Sequence, residues 1–177
     1  TAPAWTLGLL RFQLAMVYFL AGVAKLNVDW LRAQPMMTWM EHKRDLWLVG
    51  PLIAHDTTGW FLSYGGLAFD LLIAPLLYWR RTRALAFVLV VCVHISNAYL
   101  FSIGIFPWLM IAATTLFLEP DWPRRWLPRF FDEAPVIVAR FPVRRGVIAG
   151  LACWVAFQVL FPFRHHLYPG NVSWTEE

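Results

Sequence analysis

The chain has 177 residues, 59% of them hydrophobic, 17% aromatic and only 15% charged, with a formal net charge of +4. A soluble domain is nearer half apolar and a quarter charged, so this composition excludes an ordinary water-soluble fold and indicates an integral membrane protein. The length suits four or five spans and leaves no room for a separate soluble domain, and no nucleic-acid partner is expected.

Residues 5–27 form the first apolar segment. It is not a signal peptide, being too long, lacking a basic n-region and carrying Arg11 inside. The second, residues 59–79, has Asp70 near its middle and closes on Arg80-Arg81-Thr82-Arg83. Residues 84–118 make one apolar stretch, which as a single helix would be about 52 Å long, too much for a core of roughly 30 Å. Gly104 and Pro107 break it, predicting helices over 84–102 and 105–118, the second of them short. The last segment is residues 146–163. Between the first two lies a loop rich in Met36, Met37, Trp39, Met40 and Trp47, a composition that suits a helix lying in the headgroups. The expected fold is therefore all-α: about five transmembrane helices plus an interfacial amphipathic segment, with 1–177 a single transmembrane domain.

Counting basic residues gives the expected topology. If all five segments cross, one side carries Arg80, Arg81, Arg83, Arg124, Arg125, Arg129, Arg140, Arg144 and Arg145, and the other only Arg32, Lys43, Arg44 and Arg164. The positive-inside rule puts the first group in the cytoplasm, so Lys25 faces the periplasmic or lumenal side.

Several ionisable or polar residues within these segments stand out. Arg11, Tyr18 and Lys25 are spaced by sevens and share one helical stripe. A charge in hydrocarbon costs roughly 2.5–3.5 kcal/mol, which makes Lys25 a candidate site; the alternative is that it snorkels to the headgroups. His94 and Asn97 are three apart and share a face, about 12 Å and 7 Å below the outer boundary, where Lys25 can reach them. They serve either as a polar site or as hydrogen-bonded packing between helices. Arg11 and Asp70 lie at depths that predict a structural ion pair tethering the first two spans. Cys92 and Cys153 read as small buried hydrophobes and not as a disulfide. The histidines show no compact ligand spacing, so no metal is expected. Asn171-Val172-Ser173 matches a glycosylation sequon, a pattern common by chance.

Several segments carry a family resemblance. They are Leu10-Arg11-Phe12-Gln13, Tyr18-Phe19-Leu20-Ala21-Gly22-Val23-Ala24-Lys25-Leu26 with Asp29-Trp30-Leu31, and Asn97-Ala98-Tyr99-Leu100-Phe101-Ser102-Ile103-Gly104-Ile105-Phe106. Near the end come Phe161-Pro162-Phe163-Arg164-His165-His166-Leu167-Tyr168-Pro169-Gly170 and Trp174-Thr175-Glu176-Glu177. In this order they resemble the vitamin K-dependent gamma-carboxylase family, that of the horizontally transferred transmembrane domain, which has many bacterial members.

The resemblance implies a chemistry and a set of co-substrates. A reduced naphthoquinone, vitamin K hydroquinone, is oxygenated with O2; the strong base so formed takes a proton from a glutamate γ-carbon, and the carbanion attacks CO2. Lys25 occupies the position of the family's base, which must be neutral to accept the hydroquinone proton. His94 and Asn97 fall in the family's H-x-x-N segment, where polar groups orient the hydroquinone. A glutamate-containing protein is the implied partner besides the bilayer. The flanks differ: the family places helices before the equivalent of Thr1 and a lumenal β-rich domain after that of Glu177, neither of which is expected here. A bacterial member or a fragment is therefore one expectation. A non-catalytic scaffold that packs lipid, quinone or pigment within a larger membrane complex is the alternative reading.

Overall fold

The computed structural model describes residues 4–45, 50–53, 55–119, 122 and 145–167. All regular structure among them is helical. Four helices are long and apolar enough to cross a membrane, over Trp5–Ala24, Thr57–Tyr78, Arg83–Phe101 and Arg145–Arg164, and a shorter apolar one covers Phe106–Phe117. This is an all-α integral membrane protein.

The first helix, α1 (Ala4–Ala24), stops short of the expected residue 27. Its last turn tightens, Lys25 N–H donating to Gly22 O and Leu26 N–H to Val23 O. Asn27 then starts a new helix by accepting from Trp30 N–H through its side chain, the usual role of an N-cap asparagine. That short helix, α2 (Val28–Leu31), leads through the left-handed Ala33 (φ 56°) into α3 (Gln34–Glu41), which begins with a proline in its first turn. Met36 and Met40 of α3 are buried and Trp39 is exposed, the two-sided character expected of the interfacial segment. A four-residue helix, α4 (Gly50–Ile53), precedes α5; Trp47 lies outside the described residues.

The second long helix, α5 (Asp56–Tyr78), is held to α2 by a reciprocal lock. Trp30 Nε1 donates to Ser63 O at 2.8 Å, and Ser63 Oγ donates to Trp30 O at 2.6 Å. At its other end Arg83 Nε donates to Leu77 O (3.0 Å) and Nη2 to Tyr78 O (3.2 Å), so a guanidinium satisfies carbonyls that the helix end leaves free. Arg83 also opens α6 (Arg83–Phe101).

The expected break near Gly104 is present. Ser102 (φ 51°) and Gly104 (φ 62°) both adopt left-handed backbone, and Pro107 stands in the first turn of α7 (Phe106–Thr114). A 3₁₀ turn, Thr115–Phe117, finishes the run. The expected fourth span is thus 12 residues of helix, about 18 Å, too short to cross alone. It starts below the end of α6: the Phe106 ring lies 6.2 Å from that of His94, two turns inside α6. The core joins α1, α5, α6 and α7 through Leu14, Tyr18, Ile73, Leu77, Ala86, Val90, Met110 and Phe117.

The last long helix, α8 (Arg145–Leu160), buries none of its residues and meets α1 through Gln13 Nε2 donating to Gln158 Oε1 at 3.5 Å. Cys92 and Cys153 are free thiols, as expected, but both are exposed on outward faces of their helices and not buried. Arg124, Arg125, Arg129, Arg140, Arg144 and the sequon at Asn171 lie outside the described residues.

Candidate functional site

Gly22 sets the distance between α1 and α5. A β-carbon there would come within 2.6 Å of Leu71 Cδ2 and 3.2 Å of the Leu71 backbone nitrogen, so only glycine allows this approach. Just past the end of α1 the chain delivers Lys25 beside Asp70, with Nζ 2.5 Å from Oδ2. The two side chains are 21% and 13% exposed. Nζ also lies 3.4 Å from Ala21 O and 5.0 Å from the centre of the Trp30 ring. A carboxylate, a carbonyl and an aromatic face are all partners for N–H, and they match the three donors of an ammonium group.

This corrects the expected pairing of Arg11 with Asp70. The expectation put helix ends level with one another, whereas α1 and α5 run antiparallel with the end of α1 against the middle of α5. Asp70 lies fourteen residues into α5, about 21 Å from its start, and Lys25 is level with it. Arg11, fourteen residues back along α1, is carried to the opposite end of the bundle. There its Nε donates to Leu116 O at 2.7 Å and its Nη2 to Leu118 O at 3.2 Å. These are carbonyls at the end of the 3₁₀ turn, and the guanidinium also lies 5.9 Å from the centre of the Phe117 ring. By the same stagger Lys25, at the end of α1, meets α5 at mid-helix.

A second polar group sits in the core. His94 is buried (4% exposed) and its Nε2 lies 3.1 Å from Tyr18 Oη, which is 3.3 Å from Thr114 Oγ1. Thr114 gives its one proton to Met110 O at 2.7 Å, so the arrangement that satisfies all three contacts has Tyr18 donating to Thr114 and His94 Nε2–H donating to Tyr18. In that arrangement Nδ1 carries a lone pair, and Nδ1 is buried without a hydrogen-bond partner among the described residues. Asn97, one turn further along α6, is half-buried and makes no side-chain hydrogen bond among the described residues.

Among the described residues no hydrogen bond joins Lys25, His94 and Asn97 to one another. The pair and the histidine are joined through α5: Phe69, next to Asp70, places its ring 5.8 Å from that of Tyr18 and 6.2 Å from that of His94. Sequence reasoning missed Trp30 and Thr114 as members of the site. Tyr18 was visible through its place between Arg11 and Lys25. Thr114 gave no signal, since a threonine near the end of an apolar helix is ordinary. No group of three or more metal-ligating side chains occurs among the described residues.

Two family models match the chain. The one described as HTTM domain covers residues 1–122, which contain α1 to α7 and every residue of both clusters. The one described as vitamin K-dependent gamma-carboxylase, lumenal domain, covers residues 143–177, a segment that contains α8 and that hydropathy alone assigns to the transmembrane domain. No solved structure matches the chain. The two matches stand in family order, the first over more than half of the chain, and they lead to one conclusion: the protein belongs to the HTTM-domain family and is related to the vitamin K-dependent gamma-carboxylases.

Proposed function

We propose that the protein is a membrane-embedded, hydroquinone-dependent oxygenase that carboxylates glutamate in a protein substrate. The observation that carries this reading is the Lys25–Asp70 pair: an amine and a carboxylate held together at the middle of α5. Ionisable groups at such depth are costly as packing alone and suit proton transfer. A naphthohydroquinone, with O2 and CO2, supplies the strong base and the carboxyl carbon when bound.

The residues fit that group. A hydroquinone hydroxyl is a donor, and His94 Nδ1 is a buried acceptor that lacks one among the described residues. Asn97 offers both a donor and an acceptor. In this reading His94 and Asn97 orient the ring and Lys25 Nζ receives the hydroxyl proton. Phe69 and Phe106, beside His94, keep water away from it. Lys25 faces the periplasmic or lumenal side and the arginine-rich loops face the cytoplasm; the lumenal-domain match over the last long helix and the residues after it supports that orientation.

One observation favours a second reading, a non-catalytic scaffold that packs lipid, quinone or pigment in a larger complex: the three contacts of Nζ are all filled. The test is epoxide formation from menadiol, a tail-less naphthohydroquinone, by the full chain in proteoliposomes under O2. Labelled CO2 is followed into a glutamate peptide in parallel. Epoxide formed by the wild type and lost in Lys25→Ala supports the enzyme; no epoxide from the wild type supports the scaffold.

A further inference from the structure

A base needs a lone pair, and the described surroundings of Lys25 hold acceptors for its N–H groups. Asp70 Oδ2, Ala21 O and the face of Trp30 each take an N–H, so a free amine at this position would turn its lone pair toward an acceptor. For Nζ to receive a proton, it must pass one of its own onward. Of its three partners, a backbone carbonyl and an indole face cannot hold that proton near neutral pH. A carboxylate can. We propose that Asp70 is the terminal proton acceptor of this site and that Lys25 is the relay in front of it, so that the working base is the pair and not the lysine alone. This rests on the proposed function above and adds to it a positioning residue that acts through Lys25.

The step balances. First an N–H bond of the ammonium breaks and its proton forms an O–H bond at Asp70 Oδ2, which leaves a lone pair on Nζ. The amine turns about its Cε–Nζ bond, and as the O–H bond of the bound hydroxyl breaks a new N–H bond forms at Nζ. Lysine is an ammonium before and after. The negative charge moves from Asp70 to the ligand oxygen, where the unchanged ammonium attracts it, and nothing is oxidised or reduced. The pair is already in contact, so no side chain has to travel. Asp70 has a second advantage over bulk water as the sink: it is 13% exposed, so the proton stays in the site and can be returned through the same lysine.

The pair also explains why lysine occupies this place and arginine would not serve. Guanidinium stays protonated at any accessible pH and binds a carboxylate through two N–H groups, so it neutralises Asp70 without handing it a proton.

The test uses the full chain in lipid nanodiscs, mixed with menadiol in the absence of O2 so that no turnover occurs. Ultraviolet absorption reports loss of the menadiol hydroxyl proton, and infrared difference spectroscopy reports the carbonyl stretch of a newly protonated carboxylic acid. Both signals should rise together. The infrared band should move in protein carrying isotope-labelled aspartate and disappear in Asp70→Asn. In that variant the rate of proton loss should fall about a hundredfold or more, the usual scale of acid–base assistance. Proton loss without the carboxylic-acid band means that lysine keeps the proton; the relay is then wrong and the proposed function stands. No proton loss from menadiol in the wild type overturns the proposed function and the relay together. If Asp70→Asn does not fold, labelled wild-type protein decides by itself, because a band that ignores the aspartate label is not Asp70.

Discussion

Gly22 and Leu71 touch where α1 crosses α5, and that contact sets the position of the Lys25–Asp70 pair one turn away. The approach is closest at a side-chain carbon, which can turn aside, but the Leu71 backbone nitrogen at 3.2 Å cannot. Gly22→Ala should therefore cost about 1–3 kcal/mol through overpacking, and Gly22→Leu more. Thermal unfolding in detergent checks it. A Gly22→Leu protein as stable as the wild type would show that the two helices are not held at this spacing.

Removing either charge of the pair leaves the other stranded. Asp70→Ala and Lys25→Ala should each destabilise by about 3 kcal/mol, the low end for a buried pair because both side chains keep some exposure. Lys25→Met combined with Asp70→Leu should recover most of the loss. Arg11→Leu combined with Asp70→Leu should instead cost the sum of the two single changes, since Arg11 bonds to Leu116 and Leu118 carbonyls. Strong coupling between Arg11 and Asp70 in that cycle would contradict the geometry.

Lys25→Arg separates chemistry from charge. It should keep the ion pair and most of the stability yet form no epoxide from menadiol, because arginine cannot release a proton to Asp70. A lysine that only neutralises Asp70 or reaches for the headgroups predicts the reverse, full function in the arginine protein. Wild-type turnover by Lys25→Arg would remove Lys25 from the reaction.

The His94–Tyr18–Thr114 chain gives a spectroscopic prediction. With the proton fixed on Nε2, nitrogen NMR of labelled protein should report the Nε2–H tautomer, and menadiol should shift the Nδ1 resonance by donating to it. Tyr18→Phe leaves Nε2–H without a partner and should cost about 1–3 kcal/mol, the penalty for an unsatisfied buried group. Tyr18→Phe and Thr114→Val together should cost less than their sum, since they break one chain. An Nδ1–H tautomer in the wild type would reverse the donor order.

Helix number, helix type and the break at Gly104 were legible because they depend on composition and on backbone rules local in sequence. Lys25, His94 and Asp70 were legible as unusual for the same reason: a polar group in an apolar run declares itself without a structure. Their partners were not legible. Pairing depends on the stagger between α1 and α5, which is set by one glycine contact and by the Trp30–Ser63 lock, and a depth estimate made helix by helix contains neither. The same estimate missed that α7 starts beside His94, so a 12-residue helix there reaches Arg11 without being long enough to span.

The hydrogen-bond acceptors of Arg11 among the described residues are main-chain atoms. Its acceptors, Leu116 O and Leu118 O, are present whatever side chains stand at those positions, as are the Leu77 and Tyr78 carbonyls that Arg83 holds. The demand on the sequence is therefore one-sided. Apolar replacements at 116 and 118 keep the acceptors, whereas replacement of Arg11 leaves carbonyls that no compensating change at 116 or 118 can satisfy. An ion pair drifts through evolution by exchanging both members, and a covariation signal records the exchange. A clamp of this kind has no second member to exchange, so the tie between α1 and the end of α7 is invisible to any method that looks for paired substitutions.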